Sequence, residues 1–144
     1  MNCGPKGIWS RFDFKCMPWY TLEMIIGIDH IQLAMPEREE PRARAFFEGV
    51  LGMPEIAKPE SLKGRGGCWF VCGSQELHVG VEHGFHPARK AHPAFLVKDI
   101  SVLQARLKKA GVDIRHQPPL PNAMRIFVDD PFGNRIELIE REKP

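Results

Sequence analysis

Alternating and helical patterns of apolar residues predict the first elements of the chain. Over residues 28–35, apolar and polar positions alternate, which predicts a strand with His30 and Gln32 on one face. A stripe of apolar residues at helical spacing over 43–51 predicts a helix, and Gly52 suits its C-terminal end. The chain therefore begins its regular pattern with a strand followed by a helix.

Three further strands follow in the first half. Residues 54–58 predict a short edge strand, and residues 68–72 and 76–82 predict a hairpin. Gly73 and Ser74 between the last two strands suit a tight turn that needs glycine first. In the last strand, the alternation places Glu76 and His78 on one face.

The second half repeats the same order of elements. A strand over 92–97 precedes a helix over 100–110, and Gly111 ends that helix. A short strand is predicted over 112–115, and a hairpin closes the chain. Its strands are residues 124–128 and 135–140, and its turn has the type I signature Asp130-Pro131-Phe132-Gly133.

Two copies of a strand, a helix and three strands predict an α+β fold. Two βαβββ modules, about 25–84 and 89–141, would form a cupped, mostly antiparallel half-barrel with the helices on its outer face. The compact domain is predicted to span 24–144. Residues 1–23 show no periodicity, and we interpret them as a mobile tail or an extension from an upstream start.

The composition argues against a nucleic-acid-binding protein and against a membrane protein. The 144 residues are 43% hydrophobic and carry a net charge of +2, which is too small to indicate a nucleic-acid partner. No apolar run approaches the roughly 20 residues that a membrane helix needs, so we expect no membrane partner. The cysteine spacing fits no zinc module, and nothing indicates secretion, so a cytoplasmic location is expected.

The duplicated pattern places potential metal ligands at matching positions. His30 and His92 stand on the first strand of each module, and His78 and Glu137 stand on the last. Gly52 is as far from His78 as Gly111 is from Glu137. A lone strand histidine is usually a hydrogen-bonded structural residue, but the joint occurrence in two modules favours a divalent metal site.

Four segments resemble the vicinal oxygen chelate superfamily of glyoxalases, bleomycin-resistance proteins and extradiol dioxygenases. They are Asp-His-Ile-Gln-Leu at 29–33, Leu-His-Val at 77–79, His-Pro-Ala-Phe-Leu-Val at 92–97 and Asp-Pro-Phe-Gly-Asn-Arg-Ile-Glu-Leu-Ile-Glu at 130–140. The resemblance covers about residues 25–141 and implies two βαβββ modules. It also implies a homodimer, since the open edges of the sheet commonly pair between chains.

The resemblance implies that His30, His92 and Glu137 are metal ligands. The fourth ligand is His78 or Glu76, and the equal spacing favours His78. Imidazole and carboxylate ligands suit Fe, Mn, Co, Ni or Zn better than calcium. The nearby base that moves a proton would be Glu137, His78 or Glu76.

Several activities fit this resemblance. We expect a metal-dependent lyase or isomerase of the glyoxalase type that chelates a small oxygen-rich substrate. The alternatives are a fosfomycin-type thiol transferase, an extradiol dioxygenase and a metal-free module that binds drugs or other ligands. His78 stands where bacterial glyoxalases usually carry Glu, and Gln32 stands where the transferases usually carry Thr.

Four residues are candidates for binding the substrate. Gln32 shares the predicted face of His30, and Glu76 shares that of His78. Arg89 lies in the loop before His92, where a basic rim could grip an anionic group. Arg125 lies on a strand of the last hairpin, and an ion pair on the surface is an equal alternative for it.

Overall fold

A computed structural model of the chain describes residues 24–118 and 120–142, so the predicted tail over 1–23 lies outside the described residues. The first module contains β1 (His30–Met35), α1 (Glu40–Arg44), β2 (Glu55–Ile56), β3 (Cys68–Cys72) and β4 (Gln75–Val81). The second contains β5 (Ala94–Leu96), α2 (Ile100–Lys109), β6 (Arg115–His116), β7 (Ala123–Asp129) and β8 (Arg135–Arg141). The predicted α+β class with two βαβββ modules is confirmed.

Each module forms its own four-stranded sheet. The strand orders are β1-β4-β3-β2 and β5-β8-β7-β6. In each sheet the first strand of the module pairs in parallel with the last one, and the other pairs are antiparallel. The helix between the first and second strands allows this parallel pairing, because parallel neighbours need a long crossover. The first strand of each module is consequently an edge strand.

The pairing register shows which positions of the two modules correspond. Gln32 of β1 is opposite His78 of β4, and Ala94 of β5 is opposite Glu137 of β8. His30 stands two residues before Gln32, just as His92 stands two residues before Ala94. The register therefore makes His78 the counterpart of Glu137, in agreement with the equal spacing in the sequence.

A shared hydrophobic core lies on the helix side of both sheets. It includes alternate residues of the inner strands, such as Leu77 and Val79 of β4 and Ile136 and Leu138 of β8. Helix α1 packs on β3 and α2 packs on β8. Burial of these apolar faces stabilises the fold and leaves the opposite face of each sheet open. We call that opposite face the open face.

The helices differ in detail from the predicted ranges. The helical segment begins at Glu40, and after Arg44 it continues as a π-helical segment, Ala45–Val50, with Leu51 N–H donating to the Phe46 carbonyl at 2.9 Å. Gly52 then ends it with φ 73°. Pro41, which suits a first helical turn, lies in the first turn of α1, so the helix begins ahead of the apolar stripe over 43–51.

The N-terminus of α2 is held by two carboxylates. Asp99 accepts a hydrogen bond from Val102 N–H at 2.9 Å, and Glu140 of β8 accepts one from Ile100 N–H at 2.8 Å. These contacts satisfy free N–H groups of the first turn and favour negative charge there. Glu140 thereby fixes α2 on its sheet.

The turn between β7 and β8 joins the two modules. Asn134 Nδ2 donates to the Ala34 carbonyl of β1 and to Asp130 Oδ2, both at 2.7 Å, and Arg42 of α1 donates to the Pro131 carbonyl at 2.9 Å. Burial raises the pKa of Asp130, although the N–H groups that bond to it act in the opposite direction. The first part of the 130–140 motif is therefore a joint between the two modules.

Within the described ranges, no helix has both the length and the apolar character that crossing a bilayer requires.

Candidate metal centre

In the first module, two histidines and a tryptophan form a stack on the open face. The Trp69 ring lies 3.7 Å from the His78 ring with 7° between their planes. The His30 ring lies 4.2 Å from the same imidazole with an interplanar angle of 22°. His78 is consequently only 6% exposed although it lies on the open face.

Glu76 lies beside this stack. Its Oε2 is 2.9 Å from Nε2 of His78, and its side chain is 45% exposed. Glu76 and His78 alternate with the core residues of β4, so both side chains project on the same side of the sheet. A carboxylate bonded to an imidazole nitrogen can hold the orientation of the ring.

In the second module, a carboxylate lies between a histidine and an arginine. Glu137 Oε2 is 3.3 Å from Nε2 of His92, and Arg125 Nη1 donates to Glu137 Oε1 at 3.3 Å. Glu137 is 7% exposed. Phe127, opposite Glu137 in the register, packs its ring edge-on to His92 with 5.2 Å between centroids.

The contacts of His30 and His92 fit metal ligation. Nδ1 of His30 lies 2.8 Å from Oδ2 of the exposed Asp29, and Nδ1 of His92 lies 2.8 Å from the Lys90 carbonyl. Metal-binding histidines commonly use one ring nitrogen in this way and present the other to the ion. Nε2 of both residues would then face a metal, and with Glu137 they supply a donor set typical of borderline divalent ions.

His78 differs from these two histidines. Its Nε2 bonds to Glu76, whereas Nε2 of His92 contacts Glu137, which is itself a predicted ligand. The His78 ring also lies nearly parallel to that of His30. Because the lone pair of an imidazole nitrogen lies in the ring plane, two parallel rings cannot both direct a lone pair at one ion. Joint ligation of one ion by His30 and His78 would therefore require one of the rings to turn out of the stack.

The four predicted ligands form two separate pairs. His30 and His78 lie on the sheet of the first module, and His92 and Glu137 lie with that of the second. Among residues 24–118 and 120–142, no three His, Cys, Asp or Glu side chains are grouped so as to hold an ion. A single chain thus presents two half-sites, which we define as the His30/His78 half-site and the His92/Glu137 half-site.

The remaining predicted residues lie around these half-sites. Gln32 is exposed and lies over Gly80, where a Cβ would approach its Nε2 to 3.2 Å. Gln32 and His92 also line a cavity of about 600 Å³ between β1 and the 82–93 connection. Arg89 is exposed on that connection, while Arg125 touches Glu137 directly.

The sequence did not identify Trp69 as a residue of the site. Residues 68–72 were predicted only as a strand of a hairpin, and in the structure Cys68, Phe70 and Cys72 of that strand pack in the core. The available signal was the alternation, which places Trp69 on the open face opposite His78.

Comparisons with known proteins agree with this geometry. The family model described as Glyoxalase/Bleomycin resistance protein/Dioxygenase superfamily matches residues 27–138. A Bacillus anthracis protein of known structure, described as a glyoxalase family protein, is 52% identical, with a TM-score of 0.79. The match covers 82% of this chain and 97% of that one. Among curated proteins, no significant match is found.

Two more distant structures share the fold. A lactoylglutathione lyase from Agrobacterium tumefaciens is 21% identical with a TM-score of 0.63, and the match covers 82% of this chain and 96% of that one. A fosfomycin resistance protein from Listeria monocytogenes is 19% identical with a TM-score of 0.66, covering 81% and 94%. The family match and the 52% identity show that this chain belongs to the glyoxalase/bleomycin resistance protein/dioxygenase superfamily.

Proposed function

We propose that the chain is a divalent-metal-dependent enzyme of the glyoxalase type that chelates a small oxygen-rich substrate and catalyses a lyase or isomerase reaction by proton transfer. The observation that carries this proposal is the contact pattern of His30 and His92. Each binds an oxygen through Nδ1. Nε2 of His30 has no hydrogen-bond partner among the described residues, and Nε2 of His92 contacts Glu137, which is another proposed ligand of the same ion.

His30, His92 and Glu137 are the proposed metal ligands. Two imidazoles and one carboxylate suit Fe, Mn, Co, Ni or Zn and leave positions for two substrate oxygens. When bound, such an ion polarises the oxygen that it holds and stabilises negative charge on the substrate. We assign Glu137 to binding the ion and orienting its neighbours, and not to proton transfer, because both of its oxygens already have partners.

His78 and Glu76 are the proposed proton-transfer pair. The carboxylate of Glu76 fixes the His78 ring, and Trp69 covers one face of it. A positioned imidazole can accept a proton from a carbon beside a polarised carbonyl and return it to a neighbouring atom. Trp69 and His30 shield the ring and limit the access of water to this transfer.

A homodimer completes the proposed site. The His30/His78 half-site of one chain would meet the His92/Glu137 half-site of its partner, and a two-fold axis would generate two equivalent sites. The exposed edges β1 and β5 support this arrangement, because free edges need covering. The apolar side chains of Met24, Ile25, Ile26, Ile28 and Leu96 are 69–92% exposed, which also favours burial by a partner.

An extradiol dioxygenase is the second candidate. The same proposed ligands, His30, His92 and Glu137, form the two-histidine, one-carboxylate set of non-haem iron oxygenases. The identity of the native metal separates the two candidates, since iron would favour oxygenation.

The metal content of untagged, chelator-free protein tests the proposal. We expect about one divalent transition ion per chain by inductively coupled plasma mass spectrometry, and its loss in His30→Ala and Glu137→Ala. His83→Ala is the matched control, because His83 is highly exposed and pairs only with Glu37 among the described residues. Equal metal content in all four proteins would mean that other residues hold the ion, and this would overturn the proposal. No metal after reconstitution would also overturn it and would favour a metal-free binding module.

A further inference from the structure

The guanidinium group of Arg125 is fixed beside the proposed metal ligands with most of its donors unused. Nε donates to the Pro118 carbonyl at 3.2 Å, and Nη1 donates to Glu137 Oε1 at 3.3 Å. The group also lies 5.7 Å from the centre of the Phe127 ring. Of the five N–H donors of an arginine, three have no acceptor within the described residues.

Arg125 would lie close to a substrate bound at the proposed ion. Arg125 and His92 contact opposite oxygens of the same Glu137 carboxylate. If Glu137 and His92 held an ion, only the Glu137 carboxylate would separate that ion from the guanidinium. A substrate bound to the ion would therefore lie near Arg125. The Arg125 side chain is 21% exposed, so an ion pair formed there is less screened than one on the surface.

Arg125 has no counterpart in the first module. In the register, Phe127 is opposite Glu137 and Trp69 is opposite His78, so the residue two before Trp69, Gly67, corresponds to Arg125. A Cβ at Gly67 would lie 2.5 Å from the Val79 carbonyl oxygen, which excludes a side chain there. Each proposed site therefore has an arginine at this strand position only in the His92/Glu137 half-site, so the arginine lies on one side of the metal.

We infer that Arg125 binds the carboxylate of the substrate, which makes the substrate class a small 2-oxo or 2-hydroxy acid. This inference rests on the proposed function, because the metal would hold the vicinal oxygens while the guanidinium pairs with the free carboxylate oxygen. A planar guanidinium matches a carboxylate in shape and charge. A neutral chelator would fill the metal positions without using Arg125.

Two chelating probes test this inference. Oxalate is a dianion with two vicinal oxygens for the metal and two more for Arg125, whereas acetohydroxamic acid chelates as an uncharged or singly charged ligand without a carboxylate. Each probe is titrated into the cobalt-loaded full chain and followed by cobalt absorption. Arg125→Gln should weaken oxalate binding at least about tenfold, the size of one charge-assisted hydrogen bond, and leave hydroxamate binding nearly unchanged.

Control variants separate the roles of Arg125. Arg115→Gln removes an arginine that pairs with Asp129, so oxalate binding should stay at the wild-type level. Arg125→Lys keeps the charge and should retain part of the affinity. Equal weakening of both probes in Arg125→Gln would mean that Arg125 only orients Glu137, and unchanged oxalate binding would also overturn the inference.

If the protein holds no metal, failure of the proposed function can still be distinguished from failure of the inference about Arg125. In that case the proposed function fails, and calorimetry with oxalate on the metal-free chain tests Arg125 directly. Weak binding by the wild type that is lost in Arg125→Gln and kept in Arg115→Gln would support an anion site. Identical heats for the three proteins would overturn it.

Discussion

The rings of Trp69 and His78 lie face to face at 3.7 Å on neighbouring antiparallel strands. The stack fixes the imidazole between the indole and His30 and keeps it from turning toward another partner. Such an aromatic pair contributes about 0.5–1.5 kcal/mol beyond its buried area. Trp69 is thus a positioning residue for the proposed proton-transfer pair.

Trp69→Leu should release the His78 ring. We expect the ring protons of His78 to resonate upfield in the wild type, because they lie over the indole, and to move downfield in the variant. Proton NMR with a His78→Gln assignment standard measures this shift. The ring signals of His116, which is exposed on β6, serve as the internal control and should not move. Unshifted His78 signals in the wild type would contradict the stack.

Chains carrying His30→Ala and Glu137→Ala should complement each other if the site is shared. A heterodimer of the two variants would contain one intact site, made of the unmodified half-site of each chain. We expect each variant alone to bind no metal and the purified heterodimer to bind about half of the wild-type amount. Metal content and mass of the separated heterodimer measure this, and a heterodimer without metal would exclude a site shared between chains.

Asn134→Ala should destabilise the joint between the modules. The change removes two hydrogen bonds of 2.7 Å from a residue that is 7% exposed, and it leaves the Ala34 carbonyl without its donor. A loss of about 1–3 kcal/mol in the free energy of unfolding is expected by urea denaturation. The exposed amide variant Gln75→Ala should stay within about 0.5 kcal/mol of the wild type, and equal effects of both changes would refute the role of the joint.

The free energy of unfolding should depend on pH through the ionisation of Glu40. Its Oε1 accepts a hydrogen bond from Gly67 N–H at 2.9 Å, and this bond lowers the pKa of the carboxyl below the usual 4.5. Because the folded-state pKa is the lower one, the stabilisation is present above about pH 4.5 and disappears as the pH falls through the folded-state value.

The difference in unfolding free energy between the wild type and Glu40→Gln should therefore be larger at pH 7 than at pH 3. Urea denaturation at both values measures it. Glu60→Gln is the control, since the Glu60 side chain is 85% exposed. A difference that does not change with pH would argue against an ionised Glu40 as the acceptor.

Cys68 should resist alkylation in the folded protein. Burial raises the pKa of its thiol to about 11, so about one thiol in a thousand is ionised at pH 8, and its side chain is almost inaccessible. Peptide mapping after iodoacetamide treatment should find Cys68 unmodified in the native state and modified in urea. The half-buried Cys72 should react earlier, and fast native labelling of Cys68 would contradict its burial.

Local patterns in the sequence were sufficient to predict the order of elements. Alternation and glycine positions gave both βαβββ modules, and the equal distances from Gly52 and Gly111 anticipated that His78 and Glu137 correspond in the register. These features depend on neighbours along the chain. The strand that carries His92 was predicted over 92–97, and its paired part is Ala94–Leu96. Hydrogen bonds from Glu137 N–H to the Pro93 carbonyl and from Val97 N–H to the Ile139 carbonyl extend the contact with β8 by one residue at each end.

Contacts between distant strands could not be predicted in the same way. The Trp69 stack depends on the register of two strands, and the link from Asn134 to Ala34 joins residues 100 positions apart. The separation of the ligands into two half-sites depends on how two sheets are arranged, which no spacing encodes. Arg125 had no assigned face because Phe127 places an apolar ring on the open side of β7.

The location of the two histidines at edges has a consequence for how an ion would enter and leave. His30 lies on β1 and His92 just before β5, and each of these strands has a single neighbour, whereas Glu137 lies on β8 between two. Edge strands open locally more often than inner strands. In the proposed dimer the partner would cover both edges. Exchange of the ion would therefore be slower in the dimer than in the separated chain, where fraying at a histidine strand would release it before Glu137 moves.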